Sequence, residues 1–316
     1  MQLPEMFFCS PRDNTHPHLR PFLPPEPESP FFPIELEKKI FELAVRQSPQ
    51  CATSLMLVAA RVHNWIASIR YSVAHHLAGQ VYPGRKIYMP THYVHEYMPD
   101  IKYYGPFVKH LLVGGDLTVN DINKMLLSCP NVIEFGLWSP HPAREFLLCF
   151  RELKLERLSA NLSSLNLADP AFSQLTHLDV TDLGTTWQQW QALTYIPRLS
   201  HVAINKSVDT DILIRLLRHC PKLEILMIVK NSDCWEKHEA LITDPRFVMM
   251  HITRYVVSDW ANGAAGKGDM WDGAEAISSA KQRGLFKDES KLATWFHDCY
   301  WKTELRKICS SSNDEL

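Results

Sequence analysis

The sequence predicts an α/β chain in three parts: a pair of N-terminal helices, an irregular solenoid of short parallel strands alternating with helices, and C-terminal helices that cap its end. Three observations predict it. A short apolar pattern recurs seven times at almost constant spacing between residues 108 and 252, helix-like stretches separate its copies, and two helical segments with unusually wide apolar surfaces precede the array.

The first part opens at "FFPIELEKKIFELAVRQ", residues 31 to 47. Wound at roughly 100° per residue, Leu36, Ile40, Phe41, Leu43, Ala44 and Val45 fan over about half the circumference, more than one core-facing stripe needs. Pro33 stands at the first turn, where its missing N–H costs nothing. The second segment, "TSLMLVAARVHNWIASI", repeats Leu55, Val58, Val62, Ile66 and Ile69 at helical steps, with Thr53 or Ser54 as cap. Met56, Leu57 and Trp65 lie off that line. Helices with two apolar faces are buried on both sides or await a partner.

The second part is the array. "VKHLLV", "VIEFGL", "LERLSA", "LTHLDV", "LSHVAI", "LEILMI" and "FVMMHI" begin at Val108, Val132, Leu155, Leu175, Leu199, Leu223 and Phe247. The step from Leu155 to Leu175 is the shortest, so a change of curvature is expected there. "TVNDINKMLLSC" and "SVDTDILIRLLRHC" are helix-like; in the latter Asp209 is the expected cap and Ile212, Leu216 and Leu217 the inner face. Strand side chains alternate between faces. The apolar positions then point inward, and the intervening ones form two outward rows. The first is His110, Glu134, Arg157, His177, His201, Ile225 and Met249; the second is Leu112, Gly136, Ser159, Asp179, Ala203, Met227 and His251. Strands about 4.8 Å apart bring His177, Asp179 and His201 together, but as polar residues on a sheet face they are read as exposed, and no metal is expected. The polar half of this face, with Trp138, is the expected binding surface for a target protein.

The third part contains "DMWDGAEAISSAKQRG", a helix capped by Asp269 and stopped at Gly284, and "DESKLATWFHDCYWKTELRKI", a second helix with Leu292, Trp295, Phe296 and Cys299 on one side. Solenoid ends need such capping. The resulting division is a Pro-rich arm over 1–30, a helical domain over 31–80, a connecting segment over 81–104, the repeats over 105–255, and a helical cap and tail over 256–316.

Composition narrows the function. A formal charge of -2 without a basic run argues against nucleic acid. Eight scattered cysteines without a C-x-x-C pair read as reduced, mostly buried thiols. Neither a signal peptide nor eighteen consecutive apolar residues is present, so neither secretion nor membrane spanning is expected. In "ANGAAGKGDMW" the spacing from Gly263 to Gly266 is too short for a phosphate-binding loop, and Gly268 replaces the Ser or Thr that would hold magnesium. "THYVHE" sets His92, His95 and Glu96 close together without the H-E-x-x-H arrangement, and reads as a surface loop. No catalytic motif is present; the chain reads as a non-enzyme without cofactors.

The period and the L-x-x-L-x-L core resemble leucine-rich repeats, although of the positions after the strands only Asn231 carries the usual Asn; the others hold Asp116, Pro140, Ser163, Leu183 and Ser207. Irregular loops are therefore expected. A two-sided helical pair followed by such repeats resembles the layout of F-box proteins. "FPIELEKKI" supplies Phe32, Pro33, Glu35, Leu36 and Ile40 to the F-box opening, and "LMLVAARVHNW" supplies Leu55, Leu57, Val58, Arg61 and a displaced Trp65 to its second half. The arrangement is similar to F-box-like proteins common in fungi, which often close with a segment like "SDWANGAAGKGDMWDGAEA". The resemblance implies a substrate receptor of a cullin-RING ubiquitin ligase, cytoplasmic or nuclear. It would bind a Skp-family adaptor through Pro33, Leu36, Ile40, Leu57 and Val58, and a target through the repeats at His110, Glu134, Trp138, Arg157, His177, Asp179 and His201. The alternative is a repeat scaffold that binds a protein partner without any ligase.

Overall fold

Pro33 is extended, and its carbonyl accepts from the N–H groups of Leu36 and Glu37 at 2.9 and 3.0 Å, starting helix α1 (Ile34–Gln47). The computed structural model describes residues 32–77, 91–93, 101–115, 117–229, 235–251, 256–286, 296–297 and 301–310. The Pro-rich arm, His95, Glu96, Asp116, Asn231, Leu292, Trp295 and Cys299 lie outside them.

The second predicted helix is broken. It forms α2 (Ala52–Met56) and α3 (Ala60–Arg70), with Ala59 extended between them. The break has a geometric reason. Ala52 and Met56 share one helix face, as do Val62 and Ile66, but the six residues from Met56 to Val62 would turn a straight helix about 240°, so the two pairs would point apart. Interrupting the helix lets all four join Val45 in one small core, with Phe41 and Trp65 against it. Thr53 and Ser54 fall inside α2 and cap nothing; a 3₁₀ turn over Pro49–Cys51 precedes it. Arg61 clamps Glu37 through two hydrogen bonds of 2.8 and 3.1 Å, tying α3 to α1.

Ten strands form one sheet in which every pairing is parallel: β1 (Val73–Leu77), β2 (Thr91–Tyr93), β3 (His110–Gly114), β4 (Glu134–Trp138), β5 (Arg157–Asn161), β6 (His177–Asp182), β7 (His201–Ile204), β8 (Ile225–Val229), β9 (Phe247–His251) and β10 (Phe296–His297). The order across it is β2-β1-β3 and then β4 to β10 in chain sequence. β1 and β2 were not expected. "VAHHL" lacks the repeated apolar pattern, yet β1 pairs with β3 along its whole length, and His92, assigned to a loop, lies in β2. Phe296, expected on a helix, instead pairs with Met250 along the edge of β9. Helix α4 (Ile101–Tyr104) precedes β3.

Between strands the chain returns through α5 (Val119–Ser128), α6 (Leu147–Phe150), α7 (Trp187–Trp190) and α8 (Thr210–His219). Thr118 caps α5, its hydroxyl accepting from Asp121 N–H at 3.2 Å. Asp209 holds the cap position of α8 without a capping side-chain bond, while Ile212, Leu213, Leu216 and Leu217 are buried as an inner face. After β5 the short step leaves room only for a 3₁₀ turn, Pro170–Phe172, and the β5–β6 register shifts between Ala160 and Asn161. The loop-satisfying role sits on strand-end residues. Asn161 Oδ1 accepts from Ser163 N–H at 2.9 Å and Asp182 Oδ1 from Gly184 N–H at 3.0 Å. One continuous core fills this side of the sheet, from Ile101 and Leu111 through Phe135, Phe150 and Phe172 to Leu226 and Phe247. Cys129, Cys149 and Cys220 are buried thiols pushed up by burial, Cys129 to about 12; Cys51 is exposed.

The C-terminal helices are α9 (Val256–Ala264), α10 (Met270–Gln282) and α11 (Trp301–Ser310). Asp269 caps α10 as expected, accepting from Trp271 and Asp272 N–H at 2.9 and 3.2 Å. Gly284, with φ +66°, follows its last turn. These helices do more than close the end of the array. Trp271, Ala274, Ile277 and Ala280 of α10 lie against the opposite face of the sheet, over Ala203, Ile225, Met227, Val229, Val248 and Met250.

That cover is made possible by a register change. Leu226, not Leu223, stands opposite Phe247. An odd-numbered slip exchanges the two faces of a strand, so Met249 joins the main core and Val248 and Met250 take the place expected for Met249 and His251. Among the described residues, no helix is long and apolar enough to cross a membrane.

Candidate functional site

The strand register fixes the site. His110 lies opposite Glu134, Glu134 opposite Arg157, Arg157 opposite His177, and His177 opposite His201. One position pair further on, Gly136, Ser159, Asp179 and Ala203 align in the same way. The two predicted outward rows therefore exist from β3 to β8, but they are not an open surface.

α10 and the end of α9 lie over them. Glu134, Ser159, Asp179 and His201 are buried, and His110, Trp138, Arg157 and His177 are partly so. The all-apolar strand β8, "ILMIV", and the apolar run Phe247 to Met250 of β9 carried the overlooked signal, since a strand apolar on both faces is covered on both.

The polar groups form connected pairs. His110 Nδ1 is 2.7 Å from Glu134 Oε2. Trp138 Nε1–H donates to Ser159 Oγ at 2.8 Å, and Ser159 donates to Asp179 Oδ2 at 2.6 Å; Asn205 Nδ2 donates to the other carboxylate oxygen. Burial pushes the Asp179 carboxyl up to about 6, with the Ser159 hydrogen bond opposing it. Arg157 Nη1 reaches Asp269 Oδ2 at 3.1 Å, joining β5 to the N-terminus of α10. Asp269 is likewise pushed up to about 6 by burial, against the pull of Arg157. Gly263 is required here, because a Cβ at that position would run into the Asp269 side chain.

His177 and His201 stack with centroids 4.2 Å apart, and the Trp271 ring stands edge-on to both at 5.1 and 5.8 Å. Burial lowers both imidazoles, His177 to about 3; His201 and then Arg157 add to the lowering of His177, while Glu224 opposes and Arg157 adds to that of His201. His201 Nε2 is 3.2 Å from Glu275 Oε1, a residue of α10 absent from the predicted set. Asp179, the third member expected to meet these histidines, turns instead to Ser159 and Asn205. Beside the network a cavity of about 40 Å³ is lined by Glu134, Trp138, Arg157, His177, Trp260 and Trp271; it has room for on the order of one or two water molecules.

The second group of predicted residues lies at the other end of the described chain. Leu36 and Ile40 on α1 are 49% and 50% exposed, and Leu57 and Val58, in the break between α2 and α3, are 83% and 60% exposed. Phe32, Ile34 and Leu43 are also about half exposed, and Pro33 is exposed at the start of α1. The break accounts for this, since it turns Leu57 and Val58 out of the helical core that Met56 and Val62 enter. The chain matches no known family model and no curated protein.

Proposed function

We propose that the protein is a non-catalytic substrate receptor of a cullin-RING ubiquitin ligase, cytoplasmic or nuclear, docking on a Skp-family adaptor through its N-terminal helices. The observation that carries this reading is the set of exposed apolar side chains Phe32, Ile34, Leu36, Ile40, Leu43, Leu57 and Val58. Apolar patches of this kind mark interaction sites. Burying them would contribute several kcal/mol at about 1.5–3 kcal/mol for each fully exposed side chain, before the cost of association. The F-box resemblance of "FPIELEKKI" and "LMLVAARVHNW" names the partner.

The parallel sheet, with β3 to β10 in chain order, supports reading the remainder as an irregular leucine-rich-repeat solenoid that holds the target. His110, Trp138 and Arg157 keep partial exposure and are available for contact. Glu134, Asp179 and His201 act beneath them, through the network. Catalysis of ubiquitin transfer belongs to other subunits, and the receptor contributes proximity.

The test is co-purification of the adaptor with the intact protein and with Leu36→Asp/Ile40→Asp. Both positions are about half exposed, so the double variant is expected to keep the parent's circular dichroism and lose the adaptor. A folded parent that retains no adaptor rejects the ligase reading and leaves a free-standing interaction scaffold.

A further inference from the structure

We propose that His177, His201 and Glu275 form a binding site for a divalent transition-metal ion of the zinc class, which pins α10 to the sheet. One ligand atom from each residue lies within 4.8 Å of the other two. The set of two imidazoles and one carboxylate is a known zinc donor set that leaves a fourth position for water.

The hydrogen bonds around the rings prepare the donors. Thr176 Oγ1 donates to Glu156 O at 3.0 Å, so toward His177 Nδ1, 2.8 Å away, it is the acceptor. Ser200 Oγ donates to Thr176 O at 3.3 Å and likewise accepts from His201 Nδ1 at 2.8 Å. Both Nδ1 atoms therefore carry the proton, and both Nε2 atoms present a lone pair, as in metal sites whose outer hydrogen bonds fix the tautomer. Both Nε2 atoms are buried without a hydrogen bond, and the His201 side chain is only 5% exposed. Buried polar atoms normally have a partner. Glu275 Oε1, though 3.2 Å from His201 Nε2, lies off the direction of a hydrogen bond. Two acceptor atoms this close repel each other, and a cation bound to both converts that repulsion into coordination.

The neighbouring cation is already engaged. Arg157 is paired with Asp269 at 3.1 Å. Zinc–nitrogen distances of about 2.0–2.1 Å place tetrahedral donors roughly 3.3 Å apart, so donors that lie within 4.8 Å of one another close by up to about 1.5 Å. The two rings, 16° from parallel, turn about their soft terminal torsions to aim at one point.

The experiment titrates chelator-treated full-length protein with Zn²⁺ by calorimetry and with Co²⁺ by visible absorption, alongside Glu275→Gln and His177→Gln. The Glu275 side chain is 56% exposed, so Glu275→Gln is expected to fold as the parent does. One equivalent of Zn²⁺, a Co²⁺ spectrum with the intensity of a four-coordinate ion, and affinity reduced about tenfold or more in Glu275→Gln are expected. Binding of equal affinity in both variants would assign the metal to other histidines and overturn the site. A folded parent that binds no Zn²⁺ overturns it as well.

Discussion

Lys281 reaches across from α10 to the carbonyl oxygens of Ile242 and Phe247, at 3.2 and 2.8 Å. Burial lowers its ammonium from 10.5 to about 8, with Asp244 opposing. A base lowered on folding binds fewer protons in the native state between these values, so its effect on stability improves as pH rises from about 8 to 10.5. Below that window the group costs about 3 kcal/mol. Denaturant unfolding of the parent and of Lys281→Met, followed from pH 7 to 10.5, should show the parent gaining on the variant as pH rises; parallel curves would contradict the assignment. Single residues were legible where their partner is local. Asp269 announces its cap because the N–H groups it accepts from lie two and three residues away. Its bond to Arg157, 112 residues distant, leaves no such trace.

At the scale of elements, α5, α8 and α10 were legible because each buries one continuous stripe, whereas α1 buries Val45 and leaves Leu36 and Ile40 half exposed. The helical period failed for the second N-terminal helix, whose two buried pairs are out of phase; strand alternation located β9 but misassigned its faces, which exchange through a slip that apolar residues on both sides conceal. The returns between strands are locked by aromatic contacts. Phe150 of α6 is fully buried, with Phe135 of β4 at 5.6 Å and Phe172, in the turn after β5, at 6.3 Å. Phe150→Ala therefore opens a cavity between consecutive units and should lower unfolding stability by about 3–5 kcal/mol, measured by denaturant titration. A loss below about 1 kcal/mol would mean that the neighbouring rings collapse into the space.

For the whole molecule, the near-constant spacing of the apolar motif made the order of β3 to β9 legible, since each unit pairs with its neighbours; β1, β2 and β10, which lack the motif, were not. What covers the second face was not legible, because α10 reaches it from a segment outside the repeats. Deleting residues 256–316 removes Trp271 and Ile277 from Ile225, Met227, Val248 and Met250, baring apolar strands of the kind that drive association. The truncated chain should aggregate in light scattering at concentrations where the full chain does not; a monodisperse truncated protein would show that this face needs no cover. The long separation of Arg157 from Asp269 also orders events in time. Ribosomes add roughly 5–20 residues per second, so β5 emerges on the order of ten seconds before the helix that will lie over it. Through that interval Arg157, Ser159, His177, Asp179 and His201 face water. The apolar strands β8 and β9 come later, and α10 follows them sooner than it follows β5. The division of one sheet face into a polar early half and an apolar late half thus lets a nascent chain wait for its own C-terminus without a sticky surface.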